Sequence, residues 1–281
     1  MNTPELRQRC ASQLQSAASR PAQLRAFVGL DGFVDEILHV VDKRESAENY
    51  QRLALMAQWG ERIRAAAGKS TNIELVSKLT KLGGNGPIMA IALASFGLKV
   101  SYLGNLGYPN LHPVFADFAN RAEVSSIAEP GYTDAVEFED GKVMLGKHQS
   151  LKQVNWNNIK ERYSLGQFAA KVAESQFVAF VNWTMLTGMT DIWAATLQEV
   201  CPGLTGPRRT LFFDLADPEK RTHADIAAAL KLIAAFEKYF DVILGLNEKE
   251  SSEVGAVLGL DTKDHSPEGL VKVGDQILQH V

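Results

Sequence analysis

Short apolar runs alternate with longer helix-like stretches through most of this chain, and that rhythm constrains the fold more than any single motif. Residues 26–34 ("AFVGLDGFV"), the run opening at Lys99 ("KVSYLGNLG"), and residues 177–183, 210–216 and 241–247 read as buried strands. Residues 49–67, 87–96, 191–200 and 223–240 read as helices between or beside them. Strands separated by helices of ten or more residues need crossover connections. The spacing therefore predicts an α/β fold: a doubly wound, mostly parallel sheet with helices on both faces. Polar residues follow the strands, at the carboxyl ends where such sheets bind ligands.

One segment departs from the rhythm. Residues 132–150 ("YTDAVEFEDGKVMLGKHQS") alternate apolar and polar side chains around Asp140-Gly141, a strong hairpin signal. The expectation is one α/β domain over residues 1–281, with a small antiparallel β lid contributed mainly by residues 132–150. The net charge of −4 argues against a nucleic-acid partner, which needs clustered Lys and Arg. No window is long and apolar enough for a membrane span. Two isolated cysteines suit a reduced, cytoplasmic location and form neither a disulfide framework nor a metal site.

Four stretches carry candidate chemistry. In "GLDGFVDEI", Asp31 and Asp35 flank Gly32 at a strand end, where carboxylates can accept hydrogen bonds from a polyol or cap the next segment. In "GGNGPIMAIALASFG", Gly83, Gly84 and Gly86 leave backbone N–H groups free before a helix expected to be apolar on nearly every side. A helical segment, not a strand, is expected before this cluster. It lacks the P-loop spacing and the G-x-G-x-x-G fingerprint. In "LGLNEKESSEV", Asn247 and Glu250 could hold hydrated magnesium and phosphate oxygens, or could simply cap a helix. In "FFDLADPEKR", Asp214, Asp217, Lys220 and Arg221 gather at a strand end. The six histidines show no metal-ligand spacing.

In this order, the stretches resemble the ribokinase-like (PfkB) carbohydrate kinase family, over roughly residues 27–281. The resemblance implies a kinase that transfers a phosphoryl group from ATP, with Mg2+, to a hydroxyl of a small-molecule sugar or nucleoside. It implies that Asp35, with Asp31 beside it, and Gly83, Gly84 and Asn85 bind the substrate. It ties Asn247 and Glu250 to ATP and magnesium, with Glu250 toward the metal. It also implies a monomer or a homodimer formed through the lid.

Two departures bear on activity. The family's glycine motif often carries an Asn where Ile88 stands. Its C-terminal G-A-G-D, which supplies a phosphate-holding helix start and the catalytic Asp, does not occur. "KVGDQ" (272–276) lies too soon after Asn247 and within a helical pattern. The expectation is a scaffold lacking its C-terminal part, with an exposed sheet edge, no catalytic Asp and weak or absent phosphotransferase activity. A non-catalytic polyol- or nucleoside-binding module is the alternative. A Rossmann-type dehydrogenase is a third, disfavoured by the missing fingerprint.

Overall fold

A computed structural model describes residues 3–280. A polar helix, α1 (Pro4–Ala17), capped by Thr3, precedes the first sheet. The chain then runs through β1 (Arg25–Leu30), β2 (Phe33–Arg44), β3 (Tyr50–Arg52), α2 (Met56–Ala65), β4 (Leu75–Gly83) and α3 (Asn85–Ser95). Next come β5 (Lys99–Gly104), α4 (Ala116–Ala119), β6 (Glu123–Ser126), the hairpin β7 (Gly131–Glu137) and β8 (Lys142–Lys147), and α5 (Trp156–Arg162). The chain continues with α6 (Leu165–Glu174), β9 (Phe177–Phe180), α7 (Met189–Ala195), β10 (Arg209–Asp214) and α8 (His223–Phe236). It closes with β11 (Phe240–Gly245), α9 (Glu248–Val257) and α10 (Pro267–Leu278).

The main sheet has six strands in the order β11-β10-β9-β1-β5-β6, every pair parallel. The chain winds outward from β1 to β6, then returns to β9 and winds the other way. The strand order therefore reverses between β1 and β9, the point at which such sheets bind ligands. Alternation along the strands sorts the core. Phe27, Phe180 and Phe213 point to one face and meet Phe168 of α6, Trp193 of α7 and Phe236 of α8. Ala26, Val28, Val100 and Tyr102 point to the other and meet Ala90 of α3 and Phe118 of α4.

A second sheet stands apart from the first. It runs β3-β2-β7-β8, and β4 pairs with β2 as well. The β7–β8 hairpin turns at Asp140-Gly141 as its sequence predicts, and Phe138 N donates to Gly141 O at 2.8 Å across the turn. It supplies two of five strands. Residues 33–83 supply the other three, a contribution the sequence does not announce.

Several boundaries differ from expectation. The apolar run 26–34 is two strands, because the chain leaves the main sheet at Asp31-Gly32 and enters the second one. A Cβ on Gly32 would lie 2.7 Å from Asn105 O, so this joint is too tight for a side chain. The stretch before the glycine cluster is strand β4, not helix; antiparallel pairing with β2 outweighs its helix-like spacing. Residues 49–67 hold β3 before α2 begins. Helix α3 buries only Gly86, Pro87 and Ala90, and Ile88 is 58% exposed. Its apolar sequence is therefore no sign of burial on every side. "KVGDQ" lies within α10.

Candidate active site

Some of the expected site residues gather where the strand order reverses, whereas Asn247 and Glu250 follow the edge strand β11. Asp31 follows β1, Asn182 follows β9, Asp214 ends β10, and the Gly84–Gly86 turn opens α3. Gly84, the N-cap of α3, has φ 104° and offers no side chain to cap the helix. Asp31 does so from a distance in sequence. Its Oδ2 accepts from Asn85 N at 2.9 Å and its Oδ1 from Gly86 N at 2.8 Å. Two helix-start amides facing one carboxylate is an arrangement the helix dipole favours.

Asp31 has no exposed surface. Asn182 Nδ2 donates to its Oδ2 at 2.8 Å across the strand-order reversal, and the Tyr102 hydroxyl donates to its backbone carbonyl. Burial pushes the Asp31 carboxyl up to about 6, against the opposing pull of the bonds from Asn182, Gly86 and Asn85. Burial likewise raises Tyr102 well above its usual range and so keeps it a donor. Asp31 thus presents no oxygen to the solvent side of the crevice. It stands behind the turn and caps α3, one of the two roles that its position in "GLDGFVDEI" leaves open.

Asp35 and Asn85 do reach that solvent side. Asp35 sits on β2, partly exposed, and its carboxylate covers Gly83: a Cβ there would lie 2.6 Å from Asp35 Cγ. Asn85 is exposed, and its Nδ2 donates to Asp214 Oδ2 at 2.7 Å. Asp214 accepts from Ala216 N at 3.1 Å, and burial raises its carboxyl above the usual range. The rim also holds backbone in the left-handed region at Asn182 (φ 63°), Ala216 (φ 58°) and Asp217 (φ 56°). Such strain gathers at functional sites. Phe33, largely buried behind Gly84, stands edge-on to His148 at 5.5 Å between ring centres.

Asn247 and Glu250 form a capping box at the start of α9. Asn247 Oδ1 accepts from Glu250 N, and Glu250 Oε2 accepts from Asn247 N, each at 3.0 Å. The other Glu250 oxygen accepts from Asp217 N at 3.1 Å, which ties the loop after β10 to α9. Glu250 is 6% exposed. Each of its oxygens accepts one backbone bond, which accounts for its burial as a helix cap and leaves each a further lone pair. No group of three or more acidic, His or Cys side chains among the described residues is placed to hold a metal. An apolar hollow of about 370 Å³ between β11 and α10 lies apart, lined by Val242, Leu244, Leu270 and Ile277. Of the expected site residues, it reaches Asn247 alone.

Sequence reasoning misses Asn182 and Tyr102. Asn182 carries a readable signal, a polar residue ending the apolar run "FVAFVN"; Tyr102 carries none, being one aromatic among others on a buried strand. No helix among the described residues is long and apolar enough to cross a membrane.

Known proteins fit this architecture. A family model described as prokaryotic ketohexokinase matches residues 2–278. A ketohexokinase from Haloferax volcanii is 29% identical over 246 residues, covering 87% of this chain and 65% of the relative. The chain thus spans just under two thirds of that relative's length. Among solved structures, ribokinase from Arabidopsis thaliana, complexed with ribose and ATP, superposes with a TM-score of 0.55 at 13% identity, covering 92% of this chain and 69% of that one. Fructokinase from Xylella fastidiosa gives 0.55 at 13%, covering 91% and 66%. Ribokinase from Cryptococcus neoformans with ADP gives 0.53 at 15%, covering 91% and 68%. With the match to the family model running almost end to end, the chain belongs to the prokaryotic ketohexokinase family and has the ribokinase-like fold.

Proposed function

We propose that the crevice between the two sheets binds a ketohexose, for phosphorylation of one of its hydroxyls with ATP as donor. The observation that carries this is the presentation of Asp35, Asn85 and Asp214 on one side of a glycine-lined turn, at the strand-order reversal. Carboxylates and an amide so grouped suit vicinal hydroxyls, each of which donates one hydrogen bond and accepts others. Gly83 and Gly84 leave room for the Asp35 and Asp31 carboxylates against the turn, and so would shape the sugar site through those side chains. Ribokinases of this fold that bind ATP or ADP in their structures support ATP as the donor.

The residues described assign no pocket to the nucleotide and no direct ligand to its magnesium ion. Glu250 instead holds the β10 loop through Asp217, and so would act on the crevice rim indirectly. The 281 residues contain no G-A-G-D string. By themselves they are therefore proposed to bind sugar while transferring phosphate weakly or not at all. A reduced, cytoplasmic setting suits the two unpaired cysteines.

Isothermal titration with D-fructose, D-ribose and adenosine, paired with an ADP-release assay, tests this reading. Fructose binding that Asp35→Ala weakens at least tenfold supports it. Equal binding of all three ligands, or none, sinks it. Rapid turnover would retain the sugar site and overturn the proposed lack of transfer.

A further inference from the structure

We propose that Asp31 is the positioning residue of the sugar crevice: its carboxylate fixes the Gly84–Gly86 turn against the ends of β1 and β9, and thereby sets where Asn85 presents its side chain. The inference rests on the sugar-binding reading above and deepens it.

Three chain segments meet on this one carboxylate. The α3 start gives two amides, the β9 end gives the Asn182 amide, and the joint after β1 supplies the carboxylate itself. The β5 strand contributes Tyr102, whose hydroxyl holds the Asp31 carbonyl and reaches Oδ1 at 3.5 Å. A Cβ on Gly84 would lie 2.9 Å from Asp31 Oδ2, and one on Gly86 would lie 2.5 Å from Oδ1. The turn is therefore closed down on the carboxylate, and glycines are what permit that approach. A helix that needed only a cap would find one locally in Ser, Thr, Asp or Asn at the N-cap. Here the cap comes from the joint after β1, so the same group that ends the helix also fixes its place on the sheet.

Asn85 is the link to the ligand. Its backbone N–H is held by Asp31 and its side chain by Asp214, so the residue is pinned at both ends. Releasing the backbone end lets the amide turn away from Asp214. The titratable groups facing Asp31 are Tyr102 from β5 and Asp214 from the end of β10, and Asp35 of β2 lies beyond Gly83. No cation is among its hydrogen-bond partners. Only the ionised carboxylate accepts from all three donors at full strength, so the turn loosens as Asp31 takes up a proton.

The experiment measures fructose affinity of the 281-residue chain by calorimetry from pH 5 to 8, for the parent, Asp31→Asn and Asp214→Asn. At pH 7.5 Asp31→Asn is expected to lose about tenfold in affinity, with its melting temperature held or raised. The parent is expected to bind more weakly below pH 6; Asp31→Asn flattens that step, and Asp214→Asn keeps it. A solely structural role would lower the melting temperature and leave the pH step in place. Amide exchange gives a second readout: Asn85 and Gly86 exchange at least tenfold faster in Asp31→Asn, while Leu103 does not change. Should that variant fail to fold, Asn182→Ala removes one donor to the same carboxylate and is expected to weaken fructose binding about threefold. A parent that binds no fructose defeats the sugar reading and this inference with it. A parent that binds, with Asp31→Asn matching it in affinity, pH profile and exchange, overturns this inference alone.

Discussion

Gly83→Ala separates the chemistry of the crevice from its stability. The residue ends β4 and is absent from the glycines with positive φ, so an L side chain is compatible with its backbone. What the new methyl meets is the Asp35 carboxyl, at 2.6 Å from Cγ and 2.7 Å from Oδ1, where ordinary contact begins near 3.4 Å. The carboxyl must withdraw by roughly 1 Å, a displacement that is enough to cost about a hundredfold where geometry governs function. A hydrogen bond to a charged group contributes about 1.5–3 kcal/mol, so losing one or part of two weakens fructose binding about 10- to 100-fold. Asp35 is partly exposed and can swing outward, so the core is untouched. Exchanging Gly for Ala also stiffens the unfolded chain, by about 0.4–1 kcal/mol in favour of folding. The melting temperature should move by no more than about 3 °C. Calorimetry and thermal unfolding of the parent and variant read both quantities. Affinity unchanged within twofold would refute the placement of Asp35 over the sugar.

Three further outcomes follow from the same geometry. Asp31 holds its proton more tightly when folded, near 6 against 3.8 unfolded, so its stabilising contribution is full below pH 4 and is lost as pH rises through 6. Denaturant unfolding across that window should show a decline of about 3 kcal/mol from this group, absent in Asp31→Asn; a slope shared by both would contradict it. Phe213 lies 4.7 Å from the Trp193 ring and between Phe180 and Phe236, so Phe213→Ala should destabilise by about 3–5 kcal/mol in urea. Cys10 is exposed, whereas burial pushes the Cys201 thiol up to about 12, so iodoacetamide should label one cysteine in the native chain and two in denaturant.

The parallel sheet is legible in the sequence because buried strands are short apolar runs and their crossovers are helical. Strand β4 is not legible: its mostly exposed residues space like a helix, and only pairing with β2 makes it a strand. The break at Asp31-Gly32 is hidden for a related reason. Apolar residues continue on both sides of it, and what forces the turn is the backbone of Asn105, far along the chain. Within the candidate site, Asp35 lies against Gly83 and Asn85 bonds to Asp214, contacts between motifs far apart in the sequence. For Asp31 the sequence leaves two roles open, accepting from a polyol or capping a segment, and the hydrogen bonds are those of a cap on α3. Asn247 and Glu250 are legible equally as a capping box or a magnesium motif, and the hydrogen bonds are those of the box.

Of the four crossings between the sheets, two, β1 to β2 at Asp31-Gly32 and β4 to α3 at Gly83-Gly84, pass beside the Asp31 carboxylate. Two of the second sheet's four attachments to the first are therefore made by residues at or beside the proposed sugar site. If the second sheet tilts, the lever arms of β2 and β4 turn about pivots adjoining Asp35 and Asn85. For the same reason the chain should accept inserted residues at the Asp140-Gly141 tip, at the far end of the lever, far more readily than at either pivot.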